Sequence, residues 1–294
     1  MPPLSVIVPV HNEEEAIGGV LENLVATLEA APEVEDFEVL VVDDGSTDET
    51  ASAVERTAAS RPGIRLLRRE RNRGYGAAIK HGLRHAAFDL VGIVDGDGSY
   101  PVERFPEMLR ALGDAAMVVG ARSNPQAVPL LRRPAKWFLT RLASYLAEEE
   151  IPDLNSGMRI FRKDECTRFL NLLPPRFSFT TTLTLAMLCD DLTVAYVPID
   201  YRPRLGRSKI RPLRDTLNFL LLVATTITYF RPLKVLGPLA AVLFAAGLVK
   251  GTCDLVFYDP STGPNLKTSD LLLLVAGVQV FALALLADLV SKRR

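Results

Sequence analysis

Short apolar runs alternate with stretches of helical period along the first 120 residues. Residues 4–10 (LSVIVPV), 37–42 (FEVLVV), 64–67 (IRLL), 90–94 (LVGIV) and 116–120 (AMVVG) are close to continuously hydrophobic. That is the pattern of strands buried on both faces of a parallel sheet. Between them the spacing predicts helices to about residue 31, from 46 to 60, from 77 to 87 and from 101 to 112. Asn12 with Glu15, and Ser46 with Glu49, have the capping-box spacing and predict the starts of the first two. Strands alternating with helices predict an α/β fold built on a doubly wound, mostly parallel sheet.

A second pattern begins near residue 217. Residues 217–230 are apolar but fall short of the roughly 20 residues a spanning helix needs, which predicts an interfacial helix within 211–231. Residues 233–258 and 271–290 are long enough to span, within a region covering 232–294; a compact soluble hairpin is the alternative. Lys250 and Asp254 lie four apart on one helical face. Each alone would cost about 2.5–3.5 kcal/mol at mid-bilayer, so they are expected near the far end, paired or snorkelling. Arg231, Lys234 and Lys292-Arg293-Arg294 flank the spans, while Asp259, Asp270 and a single Lys267 lie between them. The positive-inside rule then puts both termini and the α/β domain, residues 1–210, in the cytoplasm.

The composition narrows the function. The chain has 294 residues, is 48% hydrophobic and carries a formal net charge of −1, so no global field recruits nucleic acid. Three scattered cysteines form no CxxC pair, which favours a reducing compartment and argues against a zinc site. The N-terminus has neither a basic region nor a cleavage site and reads as a first strand, not a signal peptide. His81 and His85 are four apart on a predicted helix, but no third ligand is evident.

The chemistry gathers at the strand ends. Asp95 and Asp97 follow the 90–94 run, with Gly96 between them and Gly98 after. In open α/β sheets ligands collect at the carboxyl ends of strands. Two hard oxygen ligands there suit Mg²⁺ or Mn²⁺ shared with substrate phosphates; taken alone, the motif is more often a Gly/Asp turn with no ion. Glu13, Asp43 and Asp44 also fall just past predicted strands. Such a row of carboxylates repels itself unless cations or hydrogen-bond donors fill the space between, as a nucleoside and a metal-bound diphosphate would.

VIVPVHNEE (6–14), VVDDGSTDET (41–50), NRGYGAAI (72–79) and VDGDGSYP (94–101) resemble the family 2 glycosyltransferases of the GT-A (Rossmann-like) fold, and GAR (120–122) and DLNSGMRIF (153–161) continue the resemblance. It is strongest to the polyprenyl-phosphate branch, the dolichyl-phosphate mannosyltransferases and undecaprenyl-phosphate glycosyltransferases. The resemblance implies that Pro9, Asn12 and Glu13 surround the nucleoside, with Asp44 and Asp43 on the base. It implies Asp95, Gly96 and Asp97 at the diphosphate and its metal. Ser99 stands where mannosyltransferases often have a glutamine ligand, Arg122 matches a phosphate-side arginine, and Asp153 matches a position near the acceptor. Because a phosphate monoester is already ionised near neutrality, with a second pKa of about 6, Asp153 is assigned to positioning.

Two basic stretches carry two readings each. Residues 128–148 have helical apolar spacing beside Arg132, Arg133 and Lys136. They read either as an amphipathic helix on the core or as a membrane-surface helix facing a lipid phosphate. The family's acceptor motif, an arginine with a serine four residues on, is not matched, because Trp137 follows Arg133 at that spacing. Residues 198–214 (PIDYRPRLGRSKIRPLR) read as a juxtamembrane collar, and Arg204 with Lys209 also resembles the family's loop that closes on the diphosphate.

The resemblance implies an inverting, metal-dependent transfer of a sugar from a UDP- or GDP-hexose to undecaprenyl or dolichyl phosphate. The protein would be multi-pass in the inner cell membrane, with homo-oligomers formed through the spans. The alternatives are a glycosyltransferase using another lipid or a polysaccharide, against which the chain has no QxxRW-type motif, and a non-catalytic membrane protein that binds nucleotide sugar.

Overall fold

The computed structural model describes residues 2–123, 140–141, 143–145, 148–175, 178–203, 221, 225–257 and 266–291. The chain divides into two compact units, 1–222 and 223–294. In the first, seven strands form one sheet: β1 (Leu4–Val10), β2 (Phe37–Asp43), β3 (Ile64–Arg68), β4 (Leu90–Ile93), β5 (Met117–Arg122), β6 (Arg159–Arg162) and β7 (Val194–Ile199). Their order is β3-β2-β1-β4-β6-β5-β7. β1, β2, β3 and β4 are mutually parallel, and β5 is parallel to β7. Only β6, between β4 and β5, is antiparallel to its neighbours.

Burial on both faces explains the continuous apolar runs. All seven residues of β1 are buried. Leu4, Val6, Val8 and Val10 join the core formed with α1 (Ile17–Ala30). Ile7 points the other way, onto α3 (Tyr75–His85), where a Cβ on Gly82 would lie 2.7 Å from its side chain. Six side chains of α1 (Ile17, Val20, Leu21, Leu24, Val25 and Leu28) are buried, each contributing about 1.5–3 kcal/mol. α2 (Thr50–Ser60) packs on α1, and α4 (Phe105–Leu112) follows a 3₁₀ turn at Val102–Arg104.

The two capping boxes do not form. α1 and α2 begin later than expected, and neither has a side-chain cap. The polar side chains instead join the loops after β1 and β2. Asn12 N–H donates to Ser46 Oγ at 3.0 Å, Thr47 N–H to Asn12 Oδ1 at 2.9 Å, and Glu49 N–H to Glu14 Oε2 at 2.9 Å. Asn12 takes a left-handed backbone, φ +56°, to do this, a conformation asparagine tolerates better than most residues.

In the second unit, Pro232–Val256 and Thr268–Ser291 are two helices long and apolar enough to cross a membrane. At 1.5 Å per residue each exceeds the roughly 30 Å hydrocarbon core. They pack through small residues: a Cβ on Gly277 would lie 2.8 Å from the Phe244 backbone, and one on Gly247 2.9 Å from the Leu274 backbone. Close backbone approach of this kind is how apolar helices associate in lipid. At one end, Lys250 bonds Asp254 at 2.8 Å, Ser269 at 3.0 Å and the fully buried Asp270 at 2.5 Å. Lys267 closes the cluster on Asp254 at 2.8 Å. Lys250 lies about 27 Å along the helix from Pro232, so the pairing and the far-end position match the expectation. Of the interfacial segment, residues 221 and 225–230 are helical and Arg231 precedes the next helix; residues 211–220 and 222–224 lie outside the described residues.

Candidate active site

The strand directions assemble the site. Because β2, β1 and β4 are adjacent and parallel, their carboxyl ends place Asp43 and Asp44, residues 11–13, and Asp95 to Asp97 in one row. The reversed strand β6 brings a fourth segment to the same edge: its first residue, Arg159, pairs with Ile93 of β4 and Val119 of β5. The loop 153–158 before it therefore faces the Asp95 turn on one side and Arg122, at the end of β5, on the other. β7 pairs Ile199 with Arg122 and carries Tyr201 to that edge as well.

At the centre, Asp97 is 6% exposed. Its Oδ1 accepts the Ser99 N–H at 3.0 Å and the Ser99 hydroxyl at 2.5 Å, with Gly98 at φ +73° closing the turn. Ser99 therefore acts on Asp97, and its hydroxyl hydrogen is spent there. Gly96 faces inward, where a Cβ would lie 2.5 Å from Val10. Asp95 rests against Gly157, whose missing Cβ would lie 2.5 Å from Asp95 Oδ2 and 2.7 Å from Oδ1. Gly157 N–H donates to the Tyr100 hydroxyl at 2.7 Å. The Tyr75 hydroxyl also adjoins Asp95; burial first, then the carboxylate, pushes its pKa well above the ordinary phenol value. Tyr100 is shifted the same way, by burial and then Asp95.

Arg122 and Asp153 form a bidentate pair, Nε to Oδ2 at 2.5 Å and Nη2 to Oδ1 at 2.9 Å, with the Arg122 backbone N–H adding 3.2 Å to Oδ2. Asp153 is 2% exposed. Burial works against the Arg122 charge, but the Asp153 bonds outweigh it and lift its pKa above the usual arginine value. Behind the loop, the fully buried Arg159 donates twice to the Ser156 carbonyl, at 2.6 and 3.2 Å, and to Thr180 O and Thr184 Oγ1 at 3.1 Å each. Desolvation lowers its pKa, and these acceptors satisfy the guanidinium where a buried charge is costly.

The acidic residues of the nucleoside side are largely engaged. Asp44 accepts Arg73 N–H at 3.1 Å and Gly74 N–H at 2.7 Å and pairs with Arg69 at 3.0 Å. It thereby fixes the 72–74 loop. The fully buried Asp43 accepts Ser46 N–H at 2.8 Å. Pro9 lies in β1 opposite Val42, and Glu13 N–H donates to Thr50 Oγ1 at 2.9 Å. Asn12, Glu13, Asp43, Asp44, Asp95, Asp97, Ser99, Arg122 and Asp153 thus share one sheet edge. Arg132, Arg133, Lys136, Arg204 and Lys209 lie outside the described residues. Sequence reasoning assigned nothing to Tyr75, Tyr100, Gly157, Arg159 or Tyr201; the first four stood inside motifs already marked, and Tyr201 stood in the basic stretch 198–214.

Among the described residues no group of three or more His, Cys, Asp or Glu converges on one point, which includes His81 and His85, whose ring centres lie 4.5 Å apart with the planes tilted by 53°. A cage of protein ligands is not what Mg²⁺ or Mn²⁺ needs, since these ions take one or two carboxylates and complete their shell with water and phosphate oxygens. The Asp95–Asp97 pair, seated against a glycine, fits that donor set. A cavity of about 980 Å³ lies at the opposite edge, lined by Phe88, Asp89, Arg110 and Arg162 among others; none of the residues above borders it.

Comparison with known proteins agrees with this fold. Residues 5–168 match the family model for glycosyl transferase family 2, and residues 231–292 match the GtrB C-terminal hairpin. A dolichyl-phosphate beta-glucosyltransferase of Trichomonas vaginalis is 31% identical over 241 residues, covering 76% of this chain and 71% of the relative. An undecaprenyl-phosphate 4-deoxy-4-formamido-L-arabinose transferase of Enterobacter sp. (strain 638) is 28% identical over 301 residues, covering 98% and 88%. Among solved structures, the glucosyl-3-phosphoglycerate synthase of Mycobacterium tuberculosis, in complex with Mn²⁺, UDP and phosphoglyceric acid, superposes with a TM-score of 0.57 at 22% identity over 77% of this chain and 78% of that one. That likeness is one of fold. With its mixed GT-A sheet, its row of carboxylates and its matched sequence, the chain belongs to glycosyl transferase family 2 and is a glycosyltransferase.

Proposed function

We propose that the chain transfers a sugar from a nucleoside-diphosphate sugar to a polyprenyl phosphate at the cytoplasmic face of the inner membrane, inverting the anomeric carbon. The observation that carries this reading is the Asp95–Asp97 pair at the carboxyl end of β4, beside a paired Arg122 on the same edge. The named relatives act on dolichyl and undecaprenyl phosphates, and the C-terminal match to a membrane-type hairpin supports a lipid acceptor.

In this reading the loops braced by Asn12 and Ser46, together with Pro9, Glu13, Asp43 and Asp44, form the nucleoside wall. Asp43 and Asp44 act by shaping it. Asp95 and Asp97 would hold Mg²⁺ or Mn²⁺ on the diphosphate, with Ser99 orienting Asp97. Such an ion supplies Lewis-acid neutralisation of a departing diphosphate. Arg122 lends positive charge on the diphosphate side, since Asp153 takes its Nε and Nη2 and leaves Nη1 outside the pair. The lipid phosphate is already anionic near neutrality and attacks without a strong base, consistent with an Asp153 bound to an arginine. Arg204 and Lys209 are assigned to the diphosphate, and Arg132, Arg133 and Lys136 to the acceptor. The charge bias around the spans supports cytoplasmic termini and a multi-pass protein, assembled as a homo-oligomer through them.

The test is to incubate membranes containing the chain with labelled UDP- and GDP-sugars and undecaprenyl phosphate. A labelled lipid of inverted configuration is expected, requiring divalent metal and abolished by Asp97→Asn in a folded protein. Near-normal transfer by Asp97→Asn, or no lipid product from any donor, would refute the reading.

A further inference from the structure

The loop before β6 carries two of the site's contacts, Asp153 on Arg122 and Gly157 against Asp95, and one peptide group within it is held at both ends. The oxygen of the Ser156–Gly157 peptide accepts Arg159 Nη2–H at 2.6 Å and Nε–H at 3.2 Å. Its hydrogen, the Gly157 N–H, goes to the Tyr100 hydroxyl at 2.7 Å. Oxygen and hydrogen lie on opposite sides of a trans peptide, so bonds at both fix its tilt, and each bond strengthens the other by polarisation. The far side of the guanidinium is anchored in turn. Nη1 donates to Thr180 O and Thr184 Oγ1, at 3.1 Å each, on the helix Phe179–Cys189, and Thr181 Oγ1 of that helix bonds Asn155 Oδ1. Ser156 and Arg159 are fully buried and Tyr100 nearly so, so water has no ready access to replace a lost partner.

We infer that Arg159 is a positioning residue for Asp95: it locks the Ser156–Gly157 peptide to the helix Phe179–Cys189 and so fixes the glycine surface on which the Asp95 carboxylate rests. The inference rests on the metal role proposed above for Asp95. Among the described residues the acceptors bonded to Arg159 are uncharged. That is a costly setting for a buried cation, and an apolar side chain would fill the space without the cost. What the guanidinium adds is a rigid planar fork that spans from helix to loop and puts two N–H groups on one carbonyl. The contact it controls has little tolerance. A Cβ on Gly157 would lie 2.5 Å from Asp95 Oδ2, so the carboxylate fills the space over the glycine. A turn of the peptide either presses on the carboxylate or opens a gap beside it, and both shift the oxygens offered to an ion. Tyr100 serves the same peptide from its other end.

Arg159→Met removes the fork. Thr180 O keeps its bond from Thr184 Oγ1 at 3.0 Å, so the Ser156 oxygen is the acceptor that loses its donors. Arg159→Lys keeps a cation able to give that oxygen one N–H, and Tyr100→Phe removes the other end of the clamp while leaving the arginine in place. The full chain in detergent is titrated with Mn²⁺ in the presence of UDP and followed by electron paramagnetic resonance, without turnover. Amide hydrogen exchange is followed in parallel by mass spectrometry over peptides covering residues 153–158. Arg159→Met and Tyr100→Phe are each expected to weaken Mn²⁺ binding about tenfold, the lower end for loss of an outer-shell partner, and Arg159→Lys should recover part of the loss. Added to Asp95→Asn, Arg159→Met should cost no further affinity, because the arginine acts through that carboxylate. Exchange of the Gly157 amide should quicken about tenfold in Arg159→Met, as for one lost hydrogen bond, with β4 amides at their wild-type rates. Wild-type Mn²⁺ affinity in Arg159→Met or Tyr100→Phe, a further loss on the Asp95→Asn background, or wild-type Gly157 exchange in Arg159→Met would overturn the inference. If Arg159→Met does not fold, Arg159→Lys carries the same test, and wild-type affinity together with wild-type Gly157 exchange in it would overturn the inference. A wild-type chain that binds no Mn²⁺ would overturn the proposed metal role instead, and the Gly157 exchange would still decide whether Arg159 holds the peptide.

Discussion

Gly157→Ala tests whether Asp95 works where the structure holds it. The new Cβ would lie 2.5 Å from Oδ2, 2.7 Å from Oδ1 and 2.8 Å from Cγ of Asp95. Comfortable separations begin near 3.5 Å, so contact is restored only if the carboxylate moves by roughly 0.5–1 Å. Rotation about its last bond cannot achieve this, because Cγ itself is too close. A displacement of about 1 Å at a reacting centre can cost about 10²-fold, so kcat/KM for sugar transfer should fall about 10–100-fold and the apparent Mn²⁺ requirement should rise. The fold should survive. Gly157 is not among the residues with positive φ, and alanine gains about 0.4–1 kcal/mol through the unfolded chain against about 1–3 kcal/mol for overpacking. Initial rates over a Mn²⁺ series, with thermal melts of the same preparations, make the measurement. Asp95→Asn should mask the effect, the double variant losing no more than Asp95→Asn alone. A folded Gly157→Ala with wild-type kcat/KM would refute the assignment of Asp95 to the site.

Three further outcomes follow from the same contacts. Burial first, then His85, Arg69 and Arg84, hold the His81 pKa below the ordinary histidine value; the unfolded chain binds that proton more readily, so this stability is full above pH about 6.5 and is lost as pH falls below it. His81→Gln should flatten urea midpoints between pH 5 and 7.5, and an unaltered pH slope would count against it. Lys250→Met takes the shared ammonium from Asp254 and the fully buried Asp270, which should lower the yield of monodisperse protein in detergent, with Lys250→Met/Asp270→Leu restoring part of it; a yield equal to wild type in the single variant would refute the pairing's importance. Gln279 is the only polar side chain in residues 271–287, is exposed on the hairpin and lies about 13–14 Å along the axis from both Asp270 and Asp288. If the spans assemble copies of the chain, its amide is the group that gains a partner there, so Gln279→Leu should reduce energy transfer between labelled copies in vesicles, and equal transfer would argue against this contact.

The strands were legible because burial on both faces leaves an unbroken apolar run, and β1 to β5 lie where those runs predict. The two long apolar helices were legible by their length. The capping boxes misled because the same short polar side chains that cap a helix also bridge two neighbouring loops. Asn12 and Ser46 face each other only once β1 and β2 are paired, which no local spacing reveals. Asp95 and Asp97 could be marked from their place after a strand. What Asp95 leans on is 62 residues away in the chain, at Gly157, and a glycine used for close approach looks in sequence like any loop glycine.

The larger omission was β6. Residues 159–162 are too short to read as a strand beside the DLNSG loop, and its reversal within a parallel sheet has no sequence signature. Yet the reversal is what makes the site. In a wholly parallel sheet the segment before this strand would lie at the opposite edge, with the amino ends, and neither Asp153 nor Gly157 could reach Arg122 or Asp95. Running β6 backwards between β4 and β5 turns its leading loop to the carboxyl edge, and the buried Arg159 clamps that loop through Ser156. The electrostatic consequence follows directly. Asp153 arrives already matched to a cation, so it adds no net negative charge to the edge proposed above to receive a diphosphate and a lipid phosphate. Among the described residues Asp95 and Asp97 then form an acidic pair at the centre, a pair for which a divalent cation is chemically suited.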